Sequence, residues 1–478
     1  MTESGTPGIR RLQLLLLTTA VYLAAIYGLT PGNPPVFHPI HHDDYAALAA
    51  VPTWHVTRPL YFLTVGLLSY GGIPAFYAAL HLLTALLNWQ VLWLLTQQFG
   101  LRQPLLPVLT TAVLTFANAN FVDVGRYNLL TNLLAGTFAL AAILQYRSYV
   151  TAGGPQRLLL GTAALALSLL AKEDFVLPVL VLSGAALLQQ PHARRARSAF
   201  AAALTTAVLL LGYARLFAGS PFISGAGDPT APYYINLDPR SLLTVYADYL
   251  AMTGATTLQN WWLLALIGFS VVVQRRLPQP WLLLAGLTLP LPYALLPNHV
   301  FTFYAINWTA WLSGYAVFAA ASALESLRPA VLQRAGRVLL PTAAALLLAW
   351  ATPQRTMTAE RYVDETLRQA RITATLAGYR DELQAWPVVG LRGLPLFNPW
   401  FYNDAVWPQR QGYDQRWVLE ADATAWYFQF YEPWIAAALP DARVRYVSSA
   451  APAGDDDLPW LVFAADGSGE LLLPGGDR

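Results

Sequence analysis

The chain has 478 residues, of which 56% are hydrophobic and only 12% charged, with a mean hydropathy of +0.41. Soluble globular domains carry roughly 25% charged residues, so an ordinary soluble domain is excluded. A net charge of +2 is too small to make nucleic acid a partner, and the absence of cysteine rules out disulfides and thiolate metal sites.

The composition is that of a polytopic membrane protein with a polar portion attached. Lys172 is the only lysine, and nearly all positive charge is arginine. With so much Ala, Leu and Pro, this points to a GC-rich bacterial genome and an inner-membrane protein.

Arg10 and Arg11 precede the first apolar run, Leu12–Leu29. Pro31-Gly32-Asn33-Pro34-Pro35 follows and is not a small-residue cleavage pattern, so the run is expected to be a retained first helix with a cytoplasmic start. The outer loop that follows, to about Pro59, carries His38, His41, His42, Asp43, Asp44, His55 and Arg58. Asp43 suits the N-cap of a short helix through Tyr45-Ala46-Ala47-Leu48. Adjacent carboxylates at a membrane exit are placed to accept a proton or hold a cation. A solvated loop that happens to carry two Asp is the competing reading.

Leu60–Leu68 is apolar but stops at Gly71-Gly72-Ile73-Pro74, which suggests a re-entrant or interfacial piece before a second helix at Ala75–Leu95. A third helix is expected at Leu105–Phe121 and a fourth at Leu129–Tyr146. The outer turn between them contains Asp123 and Arg126. Leu158–Gln189 is one apolar stretch broken only by Lys172-Glu173-Asp174, and each half is shorter than the roughly 20 residues that span a bilayer. Arg157 precedes it and Arg194, Arg195 and Arg197 follow, so both ends belong on the cytoplasmic side. A helical hairpin with the charged tip outward satisfies this. One long helix does not.

A helix at Phe200–Phe217 is followed by an outer loop, Ala218–Asn260, with Asp228, Asp238, Arg240 and Asp248. Further helices are expected at Trp261–Val273, Trp281–Leu296, Tyr304–Leu324 and Val338–Ala351, with His299 in an outer turn. That makes about eleven. Arg10, Arg11, Arg102, Arg147, Arg157, Arg194, Arg195, Arg197, Arg275, Arg276, Arg328, Arg334 and Arg337 all flank expected inner ends. The outer loops up to residue 351 hold Arg58, Arg126, Lys172 and Arg240. This asymmetry places the N-terminus in the cytoplasm. From about Thr352 the chain turns polar and aromatic. Thr358–Leu383 reads as a helix, while Val388–Leu391, Arg443–Val447, Trp460–Phe463 and Glu470–Leu473 read as strands. Residues 1–351 are thus expected to be a membrane domain and 352–478 a small extracytoplasmic α/β domain.

Three charged clusters reach the outer side: Asp43-Asp44, Asp123 with Arg126, and Lys172-Glu173-Asp174. Ionisable residues beside membrane helices tend to mark functional cavities, ordinary helix-end charge being the alternative. His41, His42, Asp43 and Asp44 could together ligate a divalent cation, although adjacent residues converge on one ion only if the backbone folds sharply. His81, inside the second helix, reads as a packing histidine. No P-loop, dinucleotide fingerprint, nucleophile elbow or zincin motif occurs.

An apolar first helix, a loop with Asp43-Asp44 and then Arg58-Pro59 resembles the GT-C superfamily of membrane glycosyltransferases. The segment Leu169-Leu170-Ala171-Lys172-Glu173-Asp174-Phe175-Val176-Leu177-Pro178 is similar to the small-Lys-Glu…Pro segment of its protein O-mannosyltransferase-like branch. The likeness covers roughly residues 10–350. It implies a polyprenyl-phosphate sugar as donor, hexosyl or pentosyl, and makes the first-loop acid, Asp43 or Asp44, a general base or metal ligand. Lys172, Arg126, Arg58 or Arg240 would then face the donor phosphate, supported by Glu173, Asp174, Asp123, His42 and His299. No cofactor is implied beyond a divalent cation, and the acceptor (glycan, lipid or protein) is not inherited. Two other classes compete. A transporter or flippase calls for mid-membrane charges on broken helices and repeated halves, and no repeat is seen. A non-catalytic envelope assembly protein would use the outer domain, with Phe397-Asn398-Pro399-Trp400-Phe401-Tyr402, as a binding module.

Overall fold

A computed structural model describes residues 7–28, 58–116, 129–190, 193–218, 235–254, 257–297 and 302–327. It also describes positions scattered over 338–386, the strands 388–392 and 443–446, and 459–474 without 465. The described elements fall into two units: a helical one that ends before residue 357, and a smaller one that includes the sheet.

The helical unit comprises α1 (Pro7–Gly28), α2 (Pro59–Ser69), α3 (Gly72–Phe99), α4 (Leu105–Phe116), α5 (Leu129–Ala152), α6 (Pro155–Ala171) and α7 (Val176–Gln189). These are followed by α8 (Arg194–Ala218), α9 (Pro239–Ala251), α10 (Thr257–Gln274), α11 (Pro280–Thr288), α12 (Leu291–Ala294) and α13 (Ile306–Ser326). Among the described residues four helices are long and apolar enough to cross a membrane: Ala75–Phe99, Leu129–Ala152, Arg194–Ala214 and Thr257–Gln274. The other apolar helices are shorter. At 1.5 Å per residue, α6 with 17 residues and α7 with 14 extend about 26 and 21 Å.

Two helices form the centre. α13 is buried along almost its whole length, with Trp308, Trp311, Tyr315 and Phe318 all at 1% exposure or less, and it packs on α3, α4, α10 and α11. In α5, 78% of the most apolar window is buried, against 22% in α8 and 17% in α10. The outward faces of the last two are apolar, with Val208, Leu209, Leu264 and Val272 exposed, as expected of helices whose solvent is lipid. Tyr22 of α1 bonds His81 Nδ1 of α3 at 2.6 Å, so that histidine is a packing residue.

The Leu158–Gln189 stretch folds as a hairpin. α6 and α7 join through a 3-10 turn, Glu173–Phe175, and each packs on α5 and α8. The start of α6 and the end of α7 return to one end of the bundle. There a Cβ added to Gly153 would lie 2.8 Å from the Arg195 guanidinium carbon. The same end gathers Arg147 on Gln97, Gln279 on the Gln98 carbonyl, and the Arg102 and Gln103 amides on the Glu325 carboxylate.

Two expectations need correction. The loop Ala218–Asn260 contains a helix, α9. The Asp238 side chain caps it by accepting from Ser241 N at 3.0 Å, and Pro239 fills its first turn, where a missing N–H costs nothing. The span at Trp281–Leu296 is broken at Leu289–Pro290, because Pro290 and Pro292 remove backbone donors, leaving α11 and α12 as separate pieces. The piece at Leu60–Leu68 is, as expected, separate from the long helix after it: it forms a short helix, α2, and Tyr70 and Gly71 stand between it and α3.

In the second unit β1 (Val388–Arg392), β2 (Arg443–Tyr446), β3 (Trp460–Phe463) and β4 (Gly469–Leu472) form a sheet of order β2-β1-β3-β4. β1 is parallel to both neighbours, and β4 is antiparallel to β3 with Leu461 opposite Leu471. These strands coincide within a residue or so with the four read from the sequence. Alternation along β3 buries Leu461 and Phe463. A short helix, α14 (Arg380–Gln384), precedes β1. At the β3–β4 turn the Ser468 hydroxyl and amide bond Asp466, and Arg371 pairs with it at 3.0 Å. The Ser468 hydroxyl, helped by that amide and by Arg371, holds the Asp466 carboxyl below the usual range.

Candidate functional site

The end of the helical unit opposite the gathered arginines is built around the hairpin tip. α6 stops at Lys172, whose extended backbone breaks the helix while its N–H still reaches Ser168 O. The carbonyl of Ala171, left without a donor where the helix stops, accepts from Thr131 Oγ1 of α5 at 2.9 Å. Glu173 and Asp174 then stand before α7, where a helix N-terminus favours negative charge. Phe175 can lie against α5 because residue 136 is glycine; a Cβ there would sit 2.7 Å from its ring.

Lys172 and Asp174 are 6% and 3% exposed. Lys172 Nζ lies 2.7 Å from Asp174 Oδ2, 2.8 Å from Asn132 Oδ1 and 3.4 Å from the Tyr293 hydroxyl. Three acceptors match the three donors of an ammonium. The charge also lies over the Tyr304 and Tyr293 rings, 4.7 and 5.0 Å from their centroids. The Tyr293 hydroxyl is the hub. It donates to Asp174 Oδ2 and faces Asn307 Nδ2 at 3.0 Å and Asn132 Nδ2 at 3.3 Å. Tyr304 stacks on Tyr293 at 4.1 Å, while Tyr249 and Trp308 close the cage. Burying an ion is tolerable only where it is paired and hydrogen-bonded; here the lysine and the carboxylate face each other and both reach the Tyr293 hydroxyl.

At the edge of this buried pair, Arg58 Nη2 lies 3.4 Å from Glu173 Oε1, with both side chains part-exposed at 29% and 23%. Arg58 is the residue before α2 and Glu173 is 115 positions later. The residue that ends the first loop and the hairpin tip, singled out separately in the sequence, are therefore in contact.

Arg240 is exposed in the first turn of α9, about 13 Å along that helix from Tyr249. His41, His42, Asp43, Asp44, Asp123, Arg126 and His299 lie outside the described residues, as does the four-residue metal set His41, His42, Asp43 and Asp44. Among the described residues no group of three or more His, Asp or Glu could hold a metal. The sequence reading missed Asn132, Tyr293, Tyr304 and Asn307. Their signal is weak: single amides in apolar helices, and a tyrosine between Pro292 and Ala294.

No protein-family model matches the sequence, and no curated protein matches it. Among solved structures, the chain is similar to the crystal structure of ArnT from Cupriavidus metallidurans bound to undecaprenyl phosphate. Sequence identity is 13%, over 96% of this chain and 94% of that one, with a TM-score of 0.45. It is also similar to ArnT from the same organism in the apo state, at 14% identity over 85% of this chain and 88% of that one, with a TM-score of 0.41.

Proposed function

We propose that the chain is an inner-membrane glycosyltransferase of the GT-C type that moves a sugar from a polyprenyl-phosphate donor to an extracytoplasmic acceptor. The N-terminus is cytoplasmic, about eleven helices cross the membrane, and residues 352–478 form an extracytoplasmic α/β domain. The likeness to the O-mannosyltransferase branch rests on Leu169–Pro178 alone. The acceptor hydroxyl attacks the anomeric carbon and its proton passes to Asp43 or Asp44. The bond from that carbon to the phosphate oxygen breaks, its electron pair leaves on polyprenyl phosphate, and the configuration inverts. Arg58, part-exposed at the edge of the cluster, meets the phosphate rather than Lys172, which is buried and neutralised by Asp174. Arg126 and Arg240 add positive potential.

The Arg58–Glu173 contact carries this reading. It brings the residue before α2 against the lysine-bearing tip, so that two of the candidate phosphate ligands, Arg58 and Lys172, stand at one place in the helical unit. A depth argument bears on the transporter alternative. From Gly154 to Lys172 the rise is about 27 Å, so along α6 the charges are close to one surface of a hydrocarbon core of about 30 Å. A transporter site belongs near the midplane.

The test is turnover of a panel of polyprenyl-phosphate sugars by purified full-length protein. Loss of a general base costs about 10²–10⁴-fold, so Asp43→Asn or Asp44→Asn should lower turnover by that much while leaving the melting temperature in place. Wild-type turnover in both variants would remove the acid pair from the mechanism. No turnover of any donor by the wild type would favour the transporter or assembly reading.

A further inference from the structure

At the opposite end of the helical unit, α3, α5, α7, α8 and the start of α11 enclose a cavity of about 170 Å³. One ordered water needs about 10–15 Å³ of such space, so the cavity is larger than a single water requires. Ile143, Val179, Leu182 and Leu282 make one part of its wall apolar, while Gln98, Gln189 and Gln279 make its outer edge polar. Among the described residues of the lining the one charge is Arg147.

Arg147 is half-buried, and its bonds are to neutral oxygens: Nη1 to Gln97 Oε1 at 3.3 Å and Nη2 to Gln97 O at 3.1 Å. Among the described residues no carboxylate lies within ion-pair distance of it. The carbonyl contact closes the C-terminus of α3 and uses only part of a guanidinium that has five donors. A half-buried cation beside a cavity and without a counter-ion calls for an anion. The surroundings reinforce this: the Arg195 guanidinium lies against Gly153, and Arg157 bonds the Gly153 carbonyl at 3.2 Å. The apolar wall fits a ligand whose anionic head continues into a less polar body.

We propose that this cavity binds a phosphate-bearing anion through Arg147, either the headgroup of an anionic phospholipid or a free phosphate. Basic pockets between helix ends suit such headgroups. This site is separate from the Lys172 cluster and does not depend on the glycosyltransferase reading.

The experiment uses full-length protein in neutral detergent. It combines native mass spectrometry against phosphatidylglycerol and phosphatidylcholine with thermal unfolding in inorganic phosphate. Wild type should retain phosphatidylglycerol in preference to phosphatidylcholine. Arg147→Gln should reduce that retention by about tenfold or more, as loss of charge-assisted hydrogen bonds implies, and Arg147→Lys should keep part of it. Ala186→Leu narrows the cavity without touching the charge and should reduce retention too, which decides the matter if Arg147→Gln fails to fold. Stabilisation by phosphatidylglycerol but not by inorganic phosphate assigns a lipid headgroup. Stabilisation by inorganic phosphate that disappears in Arg147→Gln assigns a free anion. Equal retention of the two lipids without any phosphate effect, or folded variants that behave as wild type, would overturn the site and leave Arg147 as a cap on α3.

Discussion

At one end of α5, Lys172 and Asp174 are almost out of reach of solvent and bonded to each other. About 22 Å along the same helix, Arg147 bonds only neutral oxygens, and Arg194, Arg195 and Arg197 stand exposed. The two ends satisfy charge by different means. The lysine end does so internally: one cation and one carboxylate face each other, and two amides and a tyrosine hydroxyl bond to the pair or to one another, so the cluster is close to neutral. The arginine end leaves its charge to be answered from outside, by water, lipid headgroups or a bound anion. A low-dielectric interior makes the first solution strong and brittle, while the second is tolerant.

The largest effect is expected at the lysine end. Lys172→Met strands a buried carboxylate, and breaking a buried pair from one side costs about 3–5 kcal/mol. The double variant Lys172→Met/Asp174→Asn removes both charges and should recover more than half of that loss in denaturant or thermal unfolding. If the single variant unfolds like wild type, Lys172 is not the closed, internally paired group described above, and the contrast between the two ends collapses.

Next is the hub. Tyr293→Phe keeps the ring between Tyr304, Tyr249 and Trp308 but removes the oxygen that serves Asp174, Asn132 and Asn307. Leaving buried amide donors without an acceptor costs about 1–3 kcal/mol, so a stability loss of that size is expected, with the helical content preserved. A loss within experimental error would mean that the amides re-pair locally and that the network is looser than its geometry.

These two variants also show where the sequence was legible. The lysine and its two acids were visible because a charge in an apolar stretch is costly and rare. Their placement at a hairpin tip followed from arginines at both ends of that stretch. The strands of the second unit were visible as short β-branched and aromatic runs between turn residues. Asn132 and Asn307 were not visible as partners, because an amide inside an apolar helix carries no signal of which distant residue it meets. Tyr293 was hidden for another reason: the stretch around it reads as one continuous span, and only the folded chain shows that Pro290 and Pro292 break it and turn the tyrosine toward Lys172. Helix α9 was missed although Asp238-Pro239 is a start signal, because its flanks are polar enough to read as loop.

The smallest effect on stability, and the sharpest on function, is expected at Arg58 and Glu173. Their contact is 3.4 Å long and part-exposed, the kind of ion pair that contributes about 0.2–1 kcal/mol. Arg58→Gln and Glu173→Gln should therefore melt within a degree or two of wild type, unlike Lys172→Met. On donor binding they should differ from each other. Arg58→Gln removes the cation proposed to meet the phosphate and should weaken binding of a polyprenyl-phosphate sugar about tenfold or more, as loss of a charge-assisted bond implies. Glu173→Gln removes the carboxylate that competes with that phosphate for Arg58, so binding should be unchanged or tighter. Titrating donor against the three proteins distinguishes a phosphate ligand from a structural pair. If both variants lose affinity equally, the contact only holds α2 against the hairpin tip, and the phosphate must be met by another cation.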